Sequence, residues 1–256
     1  QPVARAQIDL NQIDTLAAES LQRWGAPGCA VAVVRNGQVV WSKGYGVKRA
    51  GTTDPVTPKT VFAIGSTTKA FTTAAMGILV DEGKLQWDDP VSIHLPRFRL
   101  SDERANQLVT LRDLVTHRTG LSRNDLLWYA SSFSREEILN RIAHARLNKP
   151  FRSAWQYQNI MYAAAGEIVA QAQKTPWEKF VPERIFKPLG MTNSTMSMKQ
   201  MQKVKDYSFG YDYNFDTKVT EKRPFREIDE VAPAGSINSS ARDMAEWLRF
   251  VLNGGT

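Results

Sequence analysis

The chain has 256 residues, with 33 lysines and arginines against 26 aspartates and glutamates and a formal net charge of +7. The length allows one large domain or two lobes around a sizeable core, and the 42% hydrophobic fraction is ordinary for a globular protein. The basic residues are scattered without a run of five or more like charges, no apolar stretch reaches transmembrane length, and Cys29 is alone, which argues against nucleic-acid or polybasic membrane binding, a membrane span and an internal disulfide.

In chain order, Gln1 to Gln7 is polar and unpatterned, the kind of start that follows a removed export signal. Ile8 to Trp24 predicts an amphipathic helix with Ile13, Leu16, Ala17 and Leu21 on one stripe. Cys29 to Val34 is an apolar strand in which Cys29 is packing, Arg35-Asn36-Gly37 a hairpin turn, and Gln38 to Tyr45 the return strand of an antiparallel sheet. Asp54-Pro55 and Thr57-Pro58 make an extended connector. From Ser66 to about Leu189 the signals are mostly helical, broken at Asp88-Asp89-Pro90, at Leu95-Pro96 and at the turn from Gly120 to Asn124. Tyr207 to Val219 reads as a hairpin with Asn214 near its turn, and Ser240 to Leu252 as an amphipathic helix capped by Ser240 or Ala241. There are no internal repeats.

Ser66 and Lys69 carry the strongest chemical signal. An apolar run ends at Gly65, Ser66 opens a helix, and Lys69 follows on the same face. The hydroxyl then lies beside an amine and beside the unpaired N–H groups of a helix start, which combines a nucleophile, a base and oxyanion donors. The helix is apolar or small nearly all round (Ala70, Phe71, Ala74, Ala75, Met76, Ile78), so Lys69 must point into protein or into a cleft, where it needs a partner. Tyr157-Gln158-Asn159 stands just before a small-residue helix from Ala163 to Ala172. A phenol beside a cationic amine ionises more readily and can relay a proton, and Asn159 offers a donor and an acceptor to a substrate amide.

Other chemistries do not fit. Ser66 follows Ile64-Gly65, which breaks G-x-S-x-G. The three histidines, His94, His117 and His144, and one cysteine have no zinc spacing, and no phosphate- or dinucleotide-binding glycine pattern occurs.

Ser66-Thr67-Thr68-Lys69 with Tyr157-Gln158-Asn159 resembles the serine penicillin-recognising hydrolases, closest to the class C β-lactamases with their related D-alanyl-D-alanine peptidases and esterases. The segments Asp81 to Val91, Leu111 to Leu121, Ile185 to Thr192 and Pro233 to Ser236 resemble that family's stretches in the same order, so the likeness runs from about Ile13 to Gly255. It implies an α/β (α+β) fold of the β-lactamase/transpeptidase type, an antiparallel sheet lobe with an inserted, mainly helical lobe and the site between them. Residues 1–65 would begin the sheet lobe, 66–235 form the helical lobe, and 236–256 return to the first. The resemblance implies that Ser66 attacks an amide, lactam or ester carbonyl and that Lys69 and Tyr157 share the proton transfer, with the choice of base open. The Ser66 N–H would serve the oxyanion, and Asn159, Trp155 and Gly65 would contact substrate, with Trp128 and Tyr129 as further wall candidates. It implies no metal or cofactor, a small-molecule or peptide substrate, and export to a periplasm or cell surface.

One departure stands out. The family's third motif, Lys-Thr-Gly or His-x-Gly, is not found downstream of Tyr157. The expectation is a missing C-terminal segment, or a dimer partner, to complete the sheet. Three functions follow: a β-lactam or D-Ala-type amide hydrolase, a carboxylesterase of the same fold, and a catalytically silent scaffold or inactive fragment.

Overall fold

The computed structural model describes residues 9–256; Gln1 to Gln7 and Ile8 lie outside them. Asp9 caps α1 (Leu10–Trp24) by accepting from the Asn11 N–H, and Gly25, at φ +57°, ends it. β1 (Gly28–Arg35) and β2 (Gln38–Gly46) pair antiparallel around Asn36-Gly37, whose φ values of +51° and +73° give the turn a hairpin favours. β3 (Val61–Ala63) then leads into a 3₁₀ turn, Gly65–Thr67, and into α2 (Thr68–Asp81). Ser66 therefore sits in the 3₁₀ turn, two residues ahead of the α-helix it was expected to open; at three residues per turn, a 3₁₀ start still stacks i over i+3.

The helical region continues through α3 (Val91–His94), α4 (Glu103–Leu108), α5 (Leu111–Val115), α6 (Arg135–Ile142), α7 (Ile160–Gln173) and α8 (Trp177–Val181). A π-helical turn at Pro182–Phe186, α9 (Lys187–Leu189) and α10 (Met198–Met201) follow. The β4 (Gly210–Asn214) and β5 (Val219–Arg223) hairpin precedes α11 (Ala232–Gly235), β6 (Asn238–Ser240) and α12 (Ala241–Leu252), the last capped by Ser240. β6 pairs antiparallel with β3, and Ile64 N–H bonds to Ile237 O, so the return segment lies directly beside the strand that delivers Ser66.

The core is built on α2 and α7, whose Phe71, Ala75, Met76, Leu79, Ala163, Ala164 and Ile168 are fully withdrawn from water. Small residues on α7 let the backbone of α11 approach closely: a Cβ at Gly166 would lie 2.2 Å from Pro233 Cγ. Phe71 stacks on Trp247 at 4.0 Å between ring centroids, which ties α12 to α2. Among the described residues, no helix is long and apolar enough to cross a membrane.

Candidate active site

Ser66, Lys69, Tyr157 and Asn159 converge from three elements. Gly65 holds φ +50°, a left-handed conformation that a side chain resists, and this bend leaves Ser66 exposed above the start of α2. Lys69 is one turn below and only 7% exposed. Its Nζ donates to Asn159 Oδ1 at 2.8 Å, to Ala234 O at 2.7 Å and to Ser66 Oγ at 3.2 Å. The Tyr157 hydroxyl donates to Ser66 Oγ at 2.5 Å, and the Lys69 amine lies 4.6 Å from the centre of the Tyr157 ring. The Ser66 hydroxyl thus stands between the amine and the phenol.

The carbonyl of Ala234 is delivered by packing. Thr72 Oγ1 donates to Pro233 O at 2.7 Å, Ile237 N–H donates to Thr68 Oγ1 at 3.1 Å, and Gly166 admits Pro233 from the other side. α2, α7 and α11 together fix this oxygen on Lys69.

Among the described residues, nothing within hydrogen-bond reach of Lys69 is charged. Burial disfavours its ammonium form, the Arg123 guanidinium works in the same direction, and the Asp125 carboxylate opposes both, leaving its pKa at about 7. A neutral amine has two N–H bonds and one lone pair. With the N–H bonds on Asn159 and Ala234, the lone pair faces Ser66 Oγ.

Tyr157 is aligned from behind by His117, which stacks on it at 4.7 Å between centroids. His117 Nδ1 accepts from Gln158 N–H at 3.1 Å and its carbonyl accepts from Gln156 N–H at 2.7 Å. Burial first, and the Lys69 charge second, lower the His117 pKa to about 4, so it is a neutral acceptor and stacking plate. The segment that carries His117 is in turn locked to the one before Tyr157 by Asp113, which is wholly buried. Its carboxylate accepts from Arg152 at 3.0 and 2.7 Å, from Thr110 N–H at 2.9 Å and from Arg118. Burial works against this charge, and the Arg152, Thr110 and Arg118 donors outweigh it, so the Asp113 pKa lies below the usual carboxylate value.

Asn159, expected to contact substrate, makes two side-chain bonds within the protein. Its carbonyl end is committed to Lys69 and one amide hydrogen goes to Asp125 Oδ1 at 3.1 Å, so it joins Lys69 to Asp125. Trp155 is 68% exposed, edge-on to His117 at 5.4 Å, on the outer rim. Trp128 donates its indole N–H to Asp125 at 3.0 Å, while Tyr129 is exposed with the Arg226 guanidinium 3.9 Å from its ring centre. Arg123, Asp125 and the Ala234 carbonyl escape sequence reasoning. Asp125 directly follows the turn from Gly120 to Asn124, and no local pattern marks it as part of the site.

The β-lactamase family profile matches residues 13–256. The unguisins hydrolase UngD′ of Aspergillus campestris is 34% identical over 244 residues, 91% of this chain and 45% of that protein. An octameric penicillin-binding protein homologue from Pyrococcus abyssi superposes with a TM-score of 0.80 at 26% identity, over 97% of this chain and 57% of that one. A class C β-lactamase from Rhodobacter sphaeroides gives 0.75 at 26% identity, over 94% and 66%. The chain spans about half the length of the curated relatives it matches. With the fold and the profile in agreement over nearly its whole length, the chain belongs to the β-lactamase family.

Proposed function

We propose that this protein is an exported serine hydrolase that forms an acyl-enzyme at Ser66 with carbonyl substrates of the β-lactam, D-Ala-type amide or ester class. The observation that carries the reading is the Ser66 hydroxyl set 3.2 Å from a buried, weakly basic Lys69 amine and 2.5 Å from the Tyr157 hydroxyl. The penicillin-binding and β-lactamase relatives support the substrate class.

Lys69, neutral, takes the Ser66 proton as Oγ attacks the carbonyl carbon. The C–N or C–O bond then breaks, and the leaving group receives a proton through Tyr157 from the Lys69 ammonium. The neutral pair next takes a proton from water, which attacks the ester, releases the acid and restores the Ser66 hydroxyl. The N–H of Ser66, at the start of the 3₁₀ turn, is an oxyanion donor.

Intact-protein mass after exposure to a penicillin and, separately, to an activated phosphonate ester tests this. The expected result is an adduct on Ser66 in the wild type and none in Ser66→Ala. Absence of an adduct with both reagents, or an adduct that persists in Ser66→Ala, contradicts the assignment. A long-lived penicillin adduct marks a penicillin-binding or esterase-like enzyme, and a short-lived one a β-lactamase.

A further inference from the structure

The two ends of the Asn159 side-chain amide have nearly the same shape, so its packing alone does not choose between them. The choice matters, because Lys69 needs an oxygen there. A half-turn of the amide would set an NH₂ group against the N–H that Lys69 points at it. Asp125 stands on the opposite side, and its carboxylate only accepts. The same half-turn would therefore also press the Asn159 oxygen onto a carboxylate oxygen. We infer that Asp125 is a positioning residue: by holding Asn159 Nδ2, it presents Asn159 Oδ1 to Lys69 and so keeps the amine aimed at Ser66. This inference rests on the acylation reading above.

Asp125 is itself fixed on both oxygens. Oδ1 accepts from Trp128 Nε1 at 3.0 Å as well as from Asn159 at 3.1 Å, and Oδ2 accepts from Arg123 Nε at 2.7 Å. It begins a short 3₁₀ turn after Asn124, which holds φ +50°. Asn124 Nδ2 donates to Ser122 O at 2.7 Å, and the same carbonyl accepts from Gln158 Nε2 at 2.5 Å. The loop is thereby pinned to the residue next to the one it orients.

Arg123 completes the arrangement, with its guanidinium 5.1 Å from the Tyr157 ring centre. The groups around the Lys69 amine are Ser66 and the Ala234 carbonyl, Tyr157, Asn159 and His117 from the facing segments, Tyr162 from α7, and the Arg123–Asp125 pair. Removing the carboxylate should thus act twice, once on orientation and once on charge. Asp125→Asn keeps an acceptor for Asn159 and loses only the charge. Asp125→Ala loses both.

The test measures the second-order rate of Ser66 labelling by a fluorophosphonate, from about pH 5 to about pH 9, in the wild type, Asp125→Ala, Asp125→Asn and Arg123→Ala. Solvent exchange of the Asn159 side-chain amide protons is followed by NMR in parallel. Asp125→Ala should lower the plateau rate on the order of 10- to 100-fold, the scale of a small misplacement of a reacting group, and should speed the amide exchange. Asp125→Asn should recover most of the plateau with its half-rate pH moved down, and Arg123→Ala should move it up. A purely structural role would give no opposed pH displacements. A wild-type plateau with unchanged exchange in Asp125→Ala overturns the inference. If Asp125→Ala does not fold, the Asn159 amide exchange in Asp125→Asn decides: exchange as slow as in the wild type with the plateau kept supports the role, and faster exchange with the plateau kept overturns it. If the wild type is not labelled at all, the acylation reading fails and the exchange comparison alone decides the role of Asp125.

Discussion

Asp113 on α5 and Lys69 on α2 are both withdrawn from water, yet they keep opposite company. Among the described residues, Asp113 meets two guanidiniums and a backbone N–H, whereas Lys69 meets only uncharged oxygens. Burial penalises both charges. At Asp113 the partners overcome the penalty and the charge is stable. At Lys69 they do not, and the amine gives up its proton near neutrality. A charge met by full counter-charge is a latch, and one met by neutral acceptors is a reagent. Here the latch, through Arg118 and Arg152, holds the segments that place His117 and Tyr157 around the reagent.

The sharpest way to break this contrast is to remove each group in turn. Lys69→Met should lower Ser66 labelling by about 10⁴-fold or more, as loss of a catalytic base does, while the melting temperature stays level or rises because no buried amine remains to desolvate. Equal loss of fold and labelling would put Lys69 in the structural class. Asp113→Asn should do the reverse. It should cost about 3 kcal/mol, the low end for breaking a buried pair because solvent reaches both guanidiniums, and thus lower Tm by roughly 10 °C, with labelling of the folded fraction retained. Calorimetry and labelling on the same samples check both.

A smaller effect is expected at the support of the Ala234 carbonyl. In Gly166→Ala the new methyl meets Pro233, which should cost about 1 to 3 kcal/mol and displace an acceptor of Lys69. Its labelling rate should therefore fall more than that of an equally destabilised core variant. The gentlest test uses acid. Labelling should fall as pH drops through about 7. His117 has a folded pKa of about 4 against an ordinary 6.5, so between these values the unfolded chain binds more protons and stability falls with pH. Asp113, with its pKa depressed, keeps contributing until pH falls below the ordinary carboxylate value of 3.8. Labelling should thus fail before the fold does, and His117→Asn should flatten the early loss of Tm.

What the sequence disclosed was what local chemistry dictates. The Asn36-Gly37 turn, the Ser240 cap and the i, i+3 placement of Ser66 and Lys69 each depend on neighbours in the chain. The 3₁₀ start at Gly65 was not legible, because it answers to the pairing of β3 with β6 from the far end of the chain. The Ala234 carbonyl was hidden for the same reason: it is a backbone atom that close packing of three helices brings to Lys69. Asn159 was expected to reach toward a substrate, and the structure turns its oxygen to the buried Lys69 amine, whose need of an acceptor the tripeptide alone does not show.

The most direct test of the account is the titration of Lys69 itself, followed at its ¹³C-labelled ε-carbon by NMR and assigned by the loss of the signal in Lys69→Met. The midpoint should lie near 7, set by neutral surroundings. A midpoint near the ordinary lysine value of about 10.4 would contradict it, because the amine would then be a charged anchor at neutral pH and Ser66 would lack its base.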